Sequence, residues 1–227
     1  MWERAYKMNE DNILRLLDKD KKAKIIDLGC DDGSWTIRLA GKIETNDIYG
    51  IDIVEERIKI AQEKNIKVYS SDLNSKFPFE DNFFDVVHVN QVIEHISNLD
   101  IFAAEISRVL KRGGYVIIST ENASSWCNIL ASIFGWQIFS LTNISRKKSG
   151  IGNPLSLHRN SQKFRDLQSW THKTIFNYRG LIEFFEAYNF KIKEVVGAGY
   201  FPLPNVFSKF DKRHSHFITL KACKNEN

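Results

Sequence analysis

Residues 24–40, KIIDLGCDDGSWTIRLA, decide the fold. Ile25, Ile26 and Leu28 form a short apolar run of the kind that makes a buried strand, and Trp35, Ile37, Leu39 and Ala40 resume the apolar pattern on a helix. Between them, Gly29 and Gly33 permit backbone angles closed to other residues, and Ser34 is placed to cap the helix. A strand, a tight glycine turn and a helix N-terminus together bring backbone amides to a small polar cofactor.

The same rhythm runs outward from this stretch. Upstream, residues 9–17 read as a short amphipathic helix. Downstream, residues 48–53 (IYGIDI) are a second buried strand, and residues 55–64 are a helix with two glutamates in its first turn, where the helix dipole favours them. Residues 66–69 give a brief third strand, and residues 83–89 (FFDVVHV) a fourth. A helix over 99–110 follows, capped by Asn98 or Asp100, and Gly113-Gly114 turns the chain into a fifth strand over 115–119. Residues 177–188 are a last helix. Residues 190–196 and 216–222 are a sixth and a seventh strand pairing as a hairpin-like edge, separated by a loop over 197–213. As far as the fifth strand the alternation is strict and the connections short, which predicts a parallel sheet with helices on both faces; with the hairpin-like last pair the expected α/β fold is a Rossmann-like seven-stranded sheet, mostly parallel with an antiparallel last strand.

From Ser124 the pattern changes. Trp126, Ile129, Leu130, Ile133 and Phe134 fall on one helical face, Gly135 interrupts, and apolar character continues to Leu141 before Arg146-Lys147-Lys148. The whole stretch from Trp126 to the basic run approaches the length of a membrane span but carries Asn128, Ser132, Gln137, Ser140 and Thr142, so it is read as a lid over the site, a dimer surface or an interfacial helix in contact with lipid, in that order. A polar loop over 149–170 follows.

At 227 residues, 43% hydrophobic and 26% charged, the chain fits a single domain, residues 1–227. Residues 2–24 mix charges with a helical pattern and resemble no signal peptide, so a cytoplasmic location is the default expectation. The three cysteines, Cys30, Cys127 and Cys223, lie far apart and form no Cys-x-x-Cys pair, which sets aside zinc and dithiol chemistry. The net charge of +4 is uneven: residues 1–125 carry 17 Lys and Arg against 22 Asp and Glu, whereas residues 126–227 carry 15 against 6. The second segment also holds 17 of the 28 aromatic residues, a composition that suits either an anionic partner or a solvated basic surface over an aromatic core.

Three acids sit at strand ends: Asp27 before the glycine turn, Asp52 after the second strand and Asp72 after the third. In an open parallel sheet these ends converge on one crevice. The two oxygens of Asp52 match the two adjacent hydroxyls of a ribose, and Asp72 can accept from an exocyclic amine while the Leu73 amide faces a ring nitrogen.

In order and spacing these residues resemble the class I S-adenosylmethionine-dependent methyltransferases of the small-molecule type. The family's D-x-G-x-G-x-G turn matches at Asp27, Gly29 and Gly33, its ribose acid at Asp52, and its adenine-side acid at Asp72. Its fourth-strand segment matches residues 90–95, and its L-K-x-G-G turn residues 110–114. The resemblance covers residues 24–120 closely and makes them the S-adenosylmethionine-binding core, with Cys30, Asp31, Ile53, Leu73 and Asn90 also along the cofactor and residues 124–174 as an inserted lid or acceptor-binding segment. Asp31 replaces the middle glycine. Asp tolerates a left-handed backbone, so the turn survives, and Asp31 or Asp32 can face the cofactor's amino group.

The resemblance further implies methyl transfer to a small-molecule, lipid-linked or glycan acceptor, at oxygen, with His95 as proton acceptor and His172, ahead of Phe176, as second choice. A structural role for either histidine stands beside that reading. Some relatives hold a divalent metal through Glu-x-x-Glu-His; here Gln91 replaces the first glutamate beside Glu94 and His95, and no metal is expected even with His172 nearby. Two alternatives are a nicotinamide-dependent enzyme, opposed by G-C-D-D-G in place of G-x-G-x-x-G, and a non-catalytic membrane-docking or scaffold protein working through residues 126–141. No nucleic-acid partner is expected, because no aromatic-basic recognition motif is present.

Overall fold

The computed structural model describes residues 2–156 and 171–225. In chain order the elements are α1 (Trp2–Leu16), β1 (Lys24–Leu28), α2 (Ser34–Ile43), β2 (Asp47–Asp52), α3 (Glu55–Glu63), β3 (Lys67–Ser70) and β4 (Phe84–Asn90). They continue with α4 (Leu99–Val109), β5 (Leu110–Glu121), α5 (Trp126–Ile133), α6 (Tyr178–Ala187), β6 (Phe190–Ala198) and β7 (Phe217–Lys224). The strands form one seven-stranded sheet in the order β3-β2-β1-β4-β5-β7-β6. The first five are parallel, and β7 lies antiparallel between β5 and β6, so the expected hairpin-like pair exists with the last strand inside and β6 at the edge.

Central strands of such a sheet are covered on both faces, which is why they read as unbroken apolar runs. One core packs Ile26, Leu28, Val87 and Val89 against Phe102, Ile106 and Phe185. The other packs Ile25, Val86 and Ile117 against Ile13, Leu39 and Ile43.

Four local expectations are corrected. The first helix begins at Trp2, not Asn9, because Ala5, Asn9, Ile13 and Leu16 form one buried stripe. Asn9 anchors it: its Nδ2 donates to Ser119 Oγ at 2.8 Å and its Oδ1 accepts from Thr219 Oγ1 at 2.8 Å. Ser34 does not cap α2. Gly33, left-handed at φ +75°, precedes the helix, and the Ser34 amide donates to Asp32 Oδ1 at 2.9 Å. Gly113-Gly114 does not end a turn before β5; the strand runs from Leu110, and the diglycine, with Gly113 at φ +74°, forms a bulge between the Phe84–Leu110 and Val86–Tyr115 pairs.

The fourth correction concerns residues 126–141. The helix stops at Ile133, followed by Gly135 at φ +68° and a 3-10 turn over Phe139–Leu141. Its buried residues are Cys127, Asn128 and Ala131, while Ile133 and Phe134 of the expected apolar face are exposed. The inversion comes from Asn128, whose Nδ2 donates to Asn122 O and to Ser140 Oγ, each at 2.9 Å, and so must face inward. Among the described residues no helix is long and apolar enough to cross a membrane. Residues 157–170, most of the expected polar loop and part of the expected lid, lie outside the described residues.

Gly33 has no room for a side chain: an added Cβ would stand 2.4 Å from Ile66 Cδ1 and 3.0 Å from Ala61 Cβ, at a positive φ. Gly33→Ala is therefore expected to destabilise the fold by about 1–3 kcal/mol, read as a lowered midpoint in thermal or urea unfolding. An unchanged midpoint would refute this packing account.

Candidate active site

The glycine turn is fastened to the second strand. The amides of Gly29 and Cys30 donate to Ile51 O at 2.8 and 3.1 Å, and the amide of Asp31, left-handed at φ +47°, donates to Asp52 Oδ2 at 2.9 Å. The other Asp52 oxygen accepts from the amides of Ile53 and Val54 at 2.8 and 2.9 Å.

The extra acids of the turn are matched by cations. The Asp31 carboxylate meets Arg57 Nε at 3.1 Å; burial raises its pKa, and Arg57 opposes the rise. Asp32 lies 3.3 Å from Lys64 Nζ, and the bond from the Ser34 amide, helped by Lys64, holds its carboxyl below the usual range. The turn is accordingly less negative than its sequence.

Beneath it, Asp27 is fully committed. Its Oδ1 lies 2.7 Å from His88 Nδ1 and its Oδ2 accepts from Thr36 Oγ1 at 2.6 Å, while Trp35 Nε1 donates to His88 Nε2 at 3.3 Å. Because Nε2 accepts from Trp35, Nδ1 is the nitrogen that donates to Asp27.

Two cavities open side by side over this base, and Gly29 lines both. The first, about 420 Å³, is lined by Asp52, Ile53, Asp72, Leu73 and His95, together with Arg146 and Lys173. The second, about 390 Å³, is bounded by Asp27, Cys30, Asp31, Arg38, Asn90 and Glu10. A Cβ at Gly29, whose φ is +75°, would come within 2.6 Å of Val92 Cγ2, so a side chain at this shared point of the two linings would be both strained and crowded. Arg38 pairs with Glu10 at 2.8 Å and lies over the Trp35 ring, giving the second cavity a paired cation and anion beside Asp27, Asp31 and Asp32. The Cys30 thiol is buried, and burial, reinforced by Asp27, pushes its pKa far up, so it stays protonated. Asp72 Oδ1 accepts from the Asn74 amide at 2.9 Å and from Asn74 Nδ2 at 2.8 Å.

His95 and His172 meet edge to face with ring centroids 4.7 Å apart. His95 Nδ1 donates to Thr171 O at 3.2 Å, which leaves the Nε2 of the uncharged ring with its lone pair, and His172 Nδ1 donates to Ser140 O at 2.6 Å. Burial, with His172 second, lowers the His95 pKa to about 4, so its ring is uncharged at neutral pH. Glu94 lies behind them, buried, with Oε2 accepting from Thr120 Oγ1 at 2.9 Å. Its Oε1 and the Nε2 of Gln91, a residue left-handed at φ +55°, are buried without a hydrogen-bond partner among the described residues. Glu94, His95 and His172 bring one ligand atom each within 4.8 Å of one another, but burial raises the Glu94 pKa to about 8, so the carboxyl is largely protonated at neutral pH.

Of the residues the sequence pattern assigned to one cofactor, Gly29, Asp52, Ile53, Asp72 and Leu73 line the first cavity together with His95, and Asp27, Cys30, Asp31 and Asn90 line its neighbour. Gly33 stays under the turn and packs on Ile66. His172 joins the group through His95. Missed were Trp35, Thr36 and His88, together with Arg146 and Lys173. A histidine inside the apolar run FFDVVHV is the signal for His88, because a buried imidazole needs a polar partner.

Glu94 makes stability depend on pH. Its folded pKa of about 8 stands above the ordinary 4.5, so the stabilisation of its protonated form is full below pH 4.5 and is lost as pH rises towards 8. Glu94→Gln is expected to shed that loss, so the melting temperature of the variant minus that of the wild type should grow across this window. A difference that does not vary with pH would refute it.

Comparison with known proteins bears on this arrangement. A family model described as a methyltransferase domain matches residues 1–195. A demethylmenaquinone methyltransferase of Staphylococcus aureus (strain JH9) is 30% identical over 118 residues, 49% of this chain and 48% of that protein. The chain thus spans about half the length of the curated relatives it matches. Among solved structures, an S-adenosylmethionine-dependent methyltransferase from Thermotoga maritima superposes with a TM-score of 0.66 at 17% identity, covering 98% of this chain and 90% of that one. A geranyl diphosphate C-methyltransferase from Streptomyces coelicolor A3(2), in complex with S-adenosylhomocysteine, superposes at 0.61 and 10% identity, covering 96% and 80%. With the family model spanning most of its length and the fold shared along nearly all of it, this chain belongs to the S-adenosylmethionine-dependent methyltransferase domain family.

Proposed function

We propose that the chain methylates a hydroxyl oxygen of a small-molecule acceptor that carries an anionic group, whether lipid-linked or a glycan, and that it acts in the cytoplasm. The observation that carries this reading is the uncharged His95, with a free Nε2, in a cavity lined by Asp52 and Asp72 and also by Arg146 and Lys173. The cytoplasmic part is supported by three free cysteines. The hydroxyl is supported by His95, and the anionic group by the two cations.

The residues fit the donor in two parts. Asp52 already accepts from three amides, yet a carboxylate offers about four acceptor sites and can share them with ribose hydroxyls. Leu73 and Ile53 give apolar surface for a base, and the Glu10–Arg38 pair in the adjoining cavity suits the zwitterionic end of an amino acid. Gly29 lines both cavities, which sets the two parts next to one another for a single ligand. When bound, S-adenosylmethionine supplies a methyl already activated on a sulfonium, so the protein's work is chiefly positioning.

His95 then takes the acceptor's proton at Nε2, a task for which an uncharged ring is required. His172 supports it edge-on and is itself held by Ser140 O. Because Ser140 belongs to the segment over 126–141, that segment acts as a lid that sets His172, in preference to a lipid-facing helix. The proton-acceptor role needs no metal.

Thermal shift with S-adenosylmethionine, S-adenosylhomocysteine and NAD in parallel tests the donor site, since a ligand at 100 times its Kd adds about 2.7 kcal/mol. Both sulfur ligands should shift the wild type and neither should shift Asp52→Ala; a response to NAD alone would sink the reading. With an acceptor in hand, His95→Ala should lower kcat by roughly 10²–10⁴-fold while leaving S-adenosylhomocysteine binding intact.

A further inference from the structure

The loop between β6 and β7 ties Tyr200, Asp211 and His214 to one another and turns its large apolar side chains outward. Phe201, Leu203, Val206, Phe207 and Phe210 are all exposed, from 37% for Phe201 to 83% for Phe210. Pro202 and Pro204 between them are exposed as well. The loop is nonetheless firmly held. Tyr200 Oη donates to the Asp211 carboxylate, His214 Nδ1 lies 2.7 Å from the same carboxylate, and Trp126 Nε1 donates to Tyr200 Oη at 2.9 Å. Asn122 Nδ2, just beyond β5, donates to Arg213 O at 2.7 Å and Ser215 O at 2.8 Å. Five large apolar side chains are therefore displayed by a fixed frame, in a patch of a kind that marks an interaction surface.

Its charge narrows the partner. Asp211 is the single acid between Gly197 and His216, and its carboxylate is turned inward onto Tyr200 and His214. Lys209, Lys212 and Arg213 flank the apolar residues, and none of the three forms an ion pair among the described residues. Lysine is depleted at protein interfaces, whereas an apolar tip ringed by cations is complementary to an anionic lipid surface.

We infer that residues 201–213 seat this protein on an anionic bilayer, with Leu203, Val206, Phe207 and Phe210 entering the headgroup boundary and Lys209, Lys212 and Arg213 meeting lipid phosphates. The tie from Asn122 puts the loop on the edge of the sheet where β1, β2 and β4 deliver the site residues. Docking therefore turns the mouth of the site towards the lipid. The inference goes beyond the proposed methyl transfer and does not depend on the acceptor's identity.

Flotation with vesicles of phosphatidylcholine alone, and of phosphatidylcholine mixed with equal parts phosphatidylglycerol, tests it on the full chain. The wild type should float with the anionic vesicles and far less with the neutral ones, and added salt should release it. Phe207→Ser with Phe210→Ser should weaken binding roughly tenfold or more, and the Gln variants of Lys209, Lys212 and Arg213 about fivefold per cation removed. These side chains touch no site residue, so the thermal response to S-adenosylhomocysteine should stay at the wild-type value and separately reports the donor reading. Absence of wild-type flotation on anionic vesicles, or flotation that both sets of variants leave unchanged, overturns the inference. So does self-association that Phe210→Ser abolishes in a protein that ignores vesicles, which would mark a protein interface instead.

Discussion

The buried carboxylate of Asp27 is the joint on which the site depends. A buried charge of this kind is tolerable only when its oxygens are satisfied, and here His88 takes one and Thr36 the other. Those two bonds tie β1 to β4 on one side and to α2 on the other. Because Asp27 stands two residues before Gly29, they also fix the angle at which the chain leaves the strand. The amides of Gly29 and Cys30 then reach Ile51 O, the Asp31 amide reaches Asp52, and Gly29 comes to line both cavities. An interior bond thus sets the positions of groups at the surface.

Much of this fold was legible because a parallel sheet covered on both faces leaves continuous apolar runs in the sequence, and because Asp52 and Asp72 stand at the ends of such runs. What escaped is what distant residues decide. Asn9 makes α1 longer and buried through Ser119 and Thr219; Asn128 turns α5 inside out through Asn122 and Ser140. His88 was visible as a polar residue in an apolar strand, but its partner lies 61 positions away. Arg146 and Lys173 come from outside the alternating pattern, so no local spacing announces them.

The acids of the site are treated in opposite ways. Asp31 and Asp32 are given Arg57 and Lys64, which keeps a crowded turn folded. Glu94 is given a single hydroxyl, Gln91 beside it holds a left-handed backbone, and each keeps a buried polar atom without a partner among the described residues. Strain and unmet hydrogen bonding of this sort concentrate where a ligand is to be met, and the rest of the fold must hold them in place. Here they sit next to His95, at the end of β4.

The tether from Asn9 to Thr219 joins residues 210 positions apart. During synthesis from N- to C-terminus, α1 is among the first segments to leave the ribosome, yet the partner that locks it is among the last. Until β7 inserts beside β5, the helix that carries Glu10 rests on Ser119 and the core around Ile25 without its bond to Thr219. The wall that Glu10 gives the second cavity is therefore fastened from both ends of the chain, and its last fastening arrives with the final strand.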